Sequence, residues 1–279
     1  MRCLIAPASF KGSIGAIGAA EAIAAGVRDA RTDADIDPCP IADGGEGTAD
    51  ILARACARYE ERWSPTTDAL GRPIDARWFL IREPAARGTL LTHGTAIVDA
   101  AACLGITQID RAALDPDRAT SAGLGSLIRA IADEGAMRII IGLGGTATMD
   151  CGIGLAGELG WLFAGAGGAT VEPVPANLGR IASAAPPVAS IDAEVIALAD
   201  VRSPLFGPAG APRIFGPQKG ASPAQVERLD AGFASFARAI GRADPEAPGA
   251  GAAGGLGWAL GAFAGAAVQS GARAVLDAI

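Results

Sequence analysis

The sequence offers one histidine, two lysines and no stretch of about 18 uninterrupted apolar residues, and each shortage removes a class of function. His93 stands alone, so multi-histidine metal sites are excluded and a Ser-His-Asp triad has only one candidate base. Nothing around His93 resembles a nucleophile elbow. The five cysteines, Cys3, Cys39, Cys56, Cys103 and Cys151, are odd in number, widely spaced and without a C-x-x-C pair. That pattern disfavours zinc and disulfide frameworks and suits buried thiols in a reducing cytoplasm. The start, MRCLIAPASF, runs straight into a strand-like segment with no leader pattern, and no membrane span is expected. Net charge is −7, so no global basic field attracts nucleic acid or an anionic membrane. An anionic ligand would have to be held locally, by single cations, backbone N–H clusters or a divalent metal.

The 279 residues are half apolar, enough for one large or two intimate domains. A buried strand is expected at Arg2–Ala6, a loop at Pro7–Ser13 and a helix from about Ile14 to Ala30. The pattern repeats with a strand at Asp35–Ile41, a Gly-rich turn at Ala42–Gly47 and a helix over Thr48–Tyr59, and two such units argue for a parallel sheet. Arg62–Val98 reads as a β-rich insertion. Helix returns at Ser121–Glu134, then a strand Arg138–Gly142, a long Gly loop and a helix over Gly154–Phe163. Val195–Ala199 is another strand; Ser222 should cap a helix over Pro223–Ile240 with Pro223 at its first position, and a Pro/Gly linker spans Asp244–Gly255. The fold class is therefore α/β: a Rossmann-like parallel sheet domain begun by residues 1–60, a β-rich insertion and connection over 61–118, and a second α/β domain with Gly-rich loops over 119–279.

Ligands of open α/β sheets bind beyond the carboxyl ends of the strands. Four such ends carry polar, mostly Gly-rich sequence: Ser9–Ser13, Asp43–Thr48, Gly144–Asp150 and Asp200–Pro204. Glycines admit close approach of an anion to backbone N–H groups, and a following helix adds a favourable dipole. One such loop would be no more than a tight turn; four converging on one sheet edge point to a site. Only two of the 23 basic residues are lysines, Lys11 and Lys219, and each precedes a glycine. A compact ammonium on a flexible stem suits a phosphate in motion. Lys11-Gly12-Ser13 is not a P-loop, and Gly152–Gly157 matches G-x-G-x-x-G about ten residues after its strand, a weak signal that close helix packing explains better. Asp43, Glu46, Asp150 and Asp200 supply the carboxylates that phosphoryl transfer needs for metal binding and hydroxyl orientation.

In this order, the strings APASFKGS, PIADGGEGT, ATSAGLGSLI, IGLGGTATMDCGIG, ADVRSPLFGPAGA, FGPQKGA and PGAGAAGGLGWALGAF resemble the glycerate kinase family that lacks a Walker motif. The resemblance implies ATP-dependent, Mg²⁺-assisted phosphorylation of D-glycerate by a two-domain α/β protein, with the site between domains. It implies that Ser9, Lys11 and Ser13 contact phosphate or the glycerate carboxylate, and that Asp43 and Asp200 serve as base or metal ligand, with Asp150 a second metal ligand. Gly44, Gly45, Glu46 and Arg202 join substrate or phosphate binding; Gly144, Gly145 and Thr146 cradle nucleotide phosphates; Lys219 offsets transition-state charge. Three places depart from the family pattern: Ala8 stands for an aspartate, Met149 and Cys151 for an asparagine and a glycine, and Arg202-Ser203 for Asp-Asn. Two other readings stay open: a relative that binds a small anion or nucleotide without turnover, and a dinucleotide-dependent oxidoreductase resting on Gly152–Gly157. A homo-oligomer is compatible with all three.

Overall fold

The computed structural model describes residues 1–10, 12–84 and 90–279. The arrangement is organised by strands with apolar centres. Strands β5 (Thr95–Asp99), β6 (Arg138–Gly142) and β10 (Glu194–Leu198) are almost entirely buried, as expected where both faces of a sheet are covered. They lie parallel in a six-stranded sheet of order β11-β10-β6-β5-β4-β3, with β11 (Ala267–Gln269) parallel at one edge. At the other edge β3 (Arg58–Thr67) and β4 (Pro73–Glu83) form an antiparallel hairpin. The β-rich stretch is thus part of the central sheet. Trp78, fully buried, donates its Nε1–H to Ser64 Oγ across that hairpin at 3.0 Å.

Alternate strand residues feed two cores. Val98, Ile139, Ile141, Val195 and Ala197 face a large cluster with Leu124 and Leu127 of α4 (Ala122–Asp133), Ile153 of α5 (Ile153–Glu158) and Leu256 of α8 (Ala252–Ala264). Ile97, Ile140, Ile196 and Leu198 face the opposite side, against Leu52 of α2 (Thr48–Arg54) and Val275 of α9 (Gly271–Ala278). Each fully buried isoleucine or leucine contributes about 1.5–3 kcal/mol of hydrophobic free energy.

The first βαβ unit stands beside this sheet as a separate parallel pair, β1 (Arg2–Ile5) with β2 (Asp35–Pro38), joined by α1 (Ala16–Ala30). Its own core is small: Ile5, Ala20 and Ala24, with Cys3, Val27 and Ile36 against them. Ala16, at the start of α1, packs into the cluster beneath α2 and α9 and ties the unit to the main body.

Three sequence expectations need correction. The helix from Thr48 stops at Arg54, because Arg58 onward pairs with β4 and Tyr59 packs edge-on against Phe79. The helix expected over Gly154–Phe163 ends at Glu158; Gly160, at φ 91°, turns the chain into β7 (Leu162–Ala164). With β8 (Thr170–Val171) and β9 (Ser183–Ala185), β7 forms a three-stranded antiparallel sheet whose strands are too short to show a period. The strand expected to be buried over Arg2–Ala6 has only Ile5 buried, whereas the Asp244–Gly255 linker keeps its bound, with Ala253, Gly254 and Gly255 left-handed and regular helix from Leu256 within α8. By contrast α7 (Pro223–Ile240) has the expected bounds, with Ser222 and Gln225 forming a capping box. Among the described residues no helix is long and apolar enough to cross a membrane.

At the start of α8, Ala253 adopts φ 53°, ψ 36°, a left-handed conformation in which a Cβ is strained. Ala253→Gly is expected to raise unfolding free energy by about 0.5–1 kcal/mol in urea titration, the relief exceeding the entropic cost of glycine. An unchanged or lowered midpoint would show that Ala253 is not strained.

Candidate active site

Two Gly-rich loops meet at the carboxyl edge of the parallel strands. Leaving β2, the chain turns through Asp43–Gly47 into α2, and leaving β6 it turns through Leu143–Asp150 into α5. Gly144 donates its N–H to Gly44 O at 3.0 Å, and a Cβ on Gly144 would lie 2.5 Å from the Gly45 Cα. A side chain there would drive the loops apart. The first loop is internally braced: Asp43 Oδ1 accepts Gly45 N–H at 3.1 Å, and Thr48 Oγ1 donates to Gly45 O at 2.7 Å. Asp43 and Glu46 remain exposed. The second loop is pinned by Gly145 O, which accepts from Ile106 N–H, and by Ala147 N–H, which donates to Leu104 O, both at 2.8 Å. Gly145 is exposed, and neither its N–H nor that of Thr146 meets an acceptor among the described residues. Two adjacent amides without acceptors on a Gly turn form an anion-binding concavity.

The start of α9 adjoins the first loop, since a Cβ on Gly271 would lie 2.3 Å from the Asp43 carbonyl carbon. Asp200, after β10, reaches this same helix start: its carboxylate accepts from Ser270 Oγ at 2.6 Å and Ala272 N–H at 2.8 Å. Arg202 follows two residues on, exposed and without an ion-pair partner among the described residues. Ser9 and Ser13 are exposed between β1 and α1, in a segment tied to the chain after β2 by Ile41 N–H donating to Pro7 O at 3.0 Å. Lys11 lies outside the described residues.

Two of the carboxylates expected at the site are engaged at helix starts. Asp150 was expected to hold a metal, but it is fully buried and accepts from Ser121 N–H and Oγ, both at 2.7 Å, Gly152 N–H at 3.0 Å and Gly154 N–H at 3.3 Å. It is a shared cap for α4 and α5, and burial pushes its pKa up against those hydrogen bonds. Asp200 is a cap for α9, with both oxygens engaged. Among the described residues no group of three or more His, Cys, Asp or Glu is placed to hold a metal. Lys219 is buried too, donating to Thr148 O at 2.8 Å and Thr146 Oγ1 at 3.3 Å. The Gly152–Gly157 match is helix packing: a Cβ on Gly154 would lie 2.2 Å from Thr120 Oγ1.

Asp99 escaped the sequence reading, which ended its strand at Val98. Its buried carboxylate accepts Gly47 N–H at 2.7 Å and Ala49 N–H at 3.0 Å, capping α2 directly under the first loop. The available signal was an aspartate ending the apolar run TAIVD. Burial raises its pKa to about 7, opposed by those two amides.

The glycerate kinase family model matches residues 3–279. The chain belongs to the glycerate kinase family. It is 38% identical to glycerate 2-kinase of Escherichia coli over 288 residues, covering 100% of this chain and 72% of that protein. It is 37% identical to glycerate kinase of Bacillus subtilis over 289 residues, with the same coverage. The crystal structure of glycerate kinase 2 from Salmonella typhimurium superposes with a TM-score of 0.80 at 37% identity, covering 100% of this chain and 74% of that one. In this member of the glycerate kinase family, Cys151 has φ 54°, a left-handed backbone conformation that glycine would adopt without strain.

The Asp99 pKa has a definite consequence. Between the ordinary aspartate value of 3.8 and about 7, the folded chain binds a proton that the unfolded chain has lost, so this group lowers stability as pH rises through that window. Asp99→Asn should therefore gain stability relative to the parent between pH 5 and pH 7.5 in urea titrations. A difference independent of pH would rule out a titrating Asp99.

Proposed function

We propose that this protein transfers the terminal phosphoryl group of ATP to D-glycerate at the rim formed by the Asp43–Gly47 and Leu143–Asp150 loops. The observation that carries the reading is the pair of Gly145 and Thr146 amides without acceptors among the described residues, at the exposed Gly145 turn near Glu46, in a chain of the glycerate kinase family. The amides would bind nucleotide phosphate, Arg202 would draw in the anionic substrates, and Ser9 and Ser13, with Lys11 between them in sequence, would hold the glycerate carboxylate. Gly44 and Gly45 bring the backbone close enough for both substrates to share the rim.

A divalent cation fits this rim. A Cβ on Gly145 would lie 3.7 Å from Glu46 Oε2, so a phosphate on these amides would face a carboxylate, a repulsion that a bridging cation removes. Magnesium ordinarily takes one or two carboxylates plus phosphate and water, and Asp43 and Glu46 are the exposed pair available. When bound it would neutralise charge on the phosphates. The acceptor hydroxyl then needs a base; of the two carboxylates first assigned, Asp43 is the one not committed to a helix start. The five free thiols suit a cytoplasmic setting.

One observation favours a second reading, a family member that binds nucleotide without turnover: Asp150 and Asp200 are both engaged as caps. A coupled ADP-release assay with D-glycerate, ATP and Mg²⁺ separates the two. Glycerate-dependent ADP release is the expected result. Thermal stabilisation by ATP without ADP release would establish the binding protein instead.

A further inference from the structure

Lys219 is one of the chain's two lysines, and the residue is only 3% exposed, packed beneath the Leu143–Asp150 loop. It sits at the end of the 3₁₀ turn Pro217–Lys219, closed by Lys219 N–H to Gly216 O at 2.9 Å. The next residue, Gly220, has φ 90° and packs against Leu114, where a Cβ would lie 2.6 Å from the Leu114 carbonyl oxygen. The backbone carrying the lysine is therefore fixed before its side chain makes any contact. From this base Nζ spans to Thr146 Oγ1 and Thr148 O, on the two sides of Ala147. Thr148 Oγ1 is buried with no hydrogen-bond partner among the described residues, so the loop segment is not fully satisfied by its own polar groups.

We propose that Lys219 is the positioning residue of the phosphate loop. It ties the Pro217–Gly220 turn to residues 146–148 and places a cation behind the Gly145 and Thr146 amides, so that anion affinity depends on a side chain the anion does not touch. This rests on the reading of those amides as the phosphate site.

A purely structural lysine would act differently. Burying an ammonium costs stability, and an apolar residue of similar length removes that cost. Burial lowers the Lys219 pKa to about 7, and among the described residues the Asp150 carboxylate acts on it in the opposite direction. The folded chain thus releases this proton more readily than the unfolded chain, and this group lowers stability below about pH 7 and ceases to do so as pH rises through the window up to 10.5. A bound phosphate favours the protonated form, so affinity must fall as pH rises above the free protein's value.

The test is ATP binding by calorimetry at pH 7 and pH 9 in the intact chain and in Lys219→Met. The parent should lose at least about tenfold in affinity over that range. Lys219→Met should bind at least about tenfold more weakly at pH 7, show a smaller change with pH, and keep or raise its thermal midpoint. Affinity within twofold of the parent with the same pH response, or a parent that binds neither ATP nor tripolyphosphate, would overturn the proposal. If Lys219→Met does not fold, the parent alone decides: constant affinity from pH 7 to pH 9 refutes it. ATP binding with this pattern but no glycerate phosphorylation would sustain the proposal and discard D-glycerate as substrate. Glycerate turnover with an indifferent Lys219→Met would do the reverse.

Discussion

The site depends on one backbone contact, the seating of Gly44 and Gly45 against Gly144. It joins a loop from the small βαβ unit to a loop from the central sheet, through a hydrogen bond of 3.0 Å and an approach that no side chain on Gly144 could share. Because interiors are close-packed, such a contact transmits position with little slack. It sets the distance between Glu46 and the Gly145 amide, and hence the room available to a phosphate. The cores on the two faces of the sheet hold the strands; this contact holds the loops those strands deliver.

Helix starts dominate the electrostatics around it. Asp99 caps α2, Asp150 caps α4 and α5, and Asp200 caps α9, so the positive ends of these helices are already met by carboxylates of the chain. What remains for an external anion is narrower: the Gly145 and Thr146 amides, the exposed Arg202 and the buried charge of Lys219. In a chain with a net charge of −7, four helix starts around the rim are thus met internally, and the Gly145 turn is left open.

Much of this was legible in the sequence. The fully buried strands β6 and β10 were readable from unbroken apolar runs, and α7 from Ser222-Pro223 with Gln225 completing its cap. The Gly-rich loops announced themselves because positive φ and close approach both demand glycine. What the sequence hid was direction. Asp150 and Asp200 read as ligands because carboxylates at strand ends serve metals and caps alike, and only the position of the next helix start distinguishes them. Lys219 read as a group offsetting transition-state charge, and a turn such as PQKGA carries no sign that its side chain is buried. Asp99 was lost for a smaller reason, the placement of one strand boundary.

The most direct test of the account is the affinity of Gly144→Ala for ATP, measured with its thermal midpoint. Gly144 is not among the glycines with positive φ, so alanine satisfies the local backbone and the substitution reports on the contact with Gly45 alone. The account predicts a lower midpoint and an ATP affinity reduced by at least about tenfold, as the loops are forced apart. Parental affinity and midpoint would contradict it, because the two loops would then not need to touch for the rim to exist.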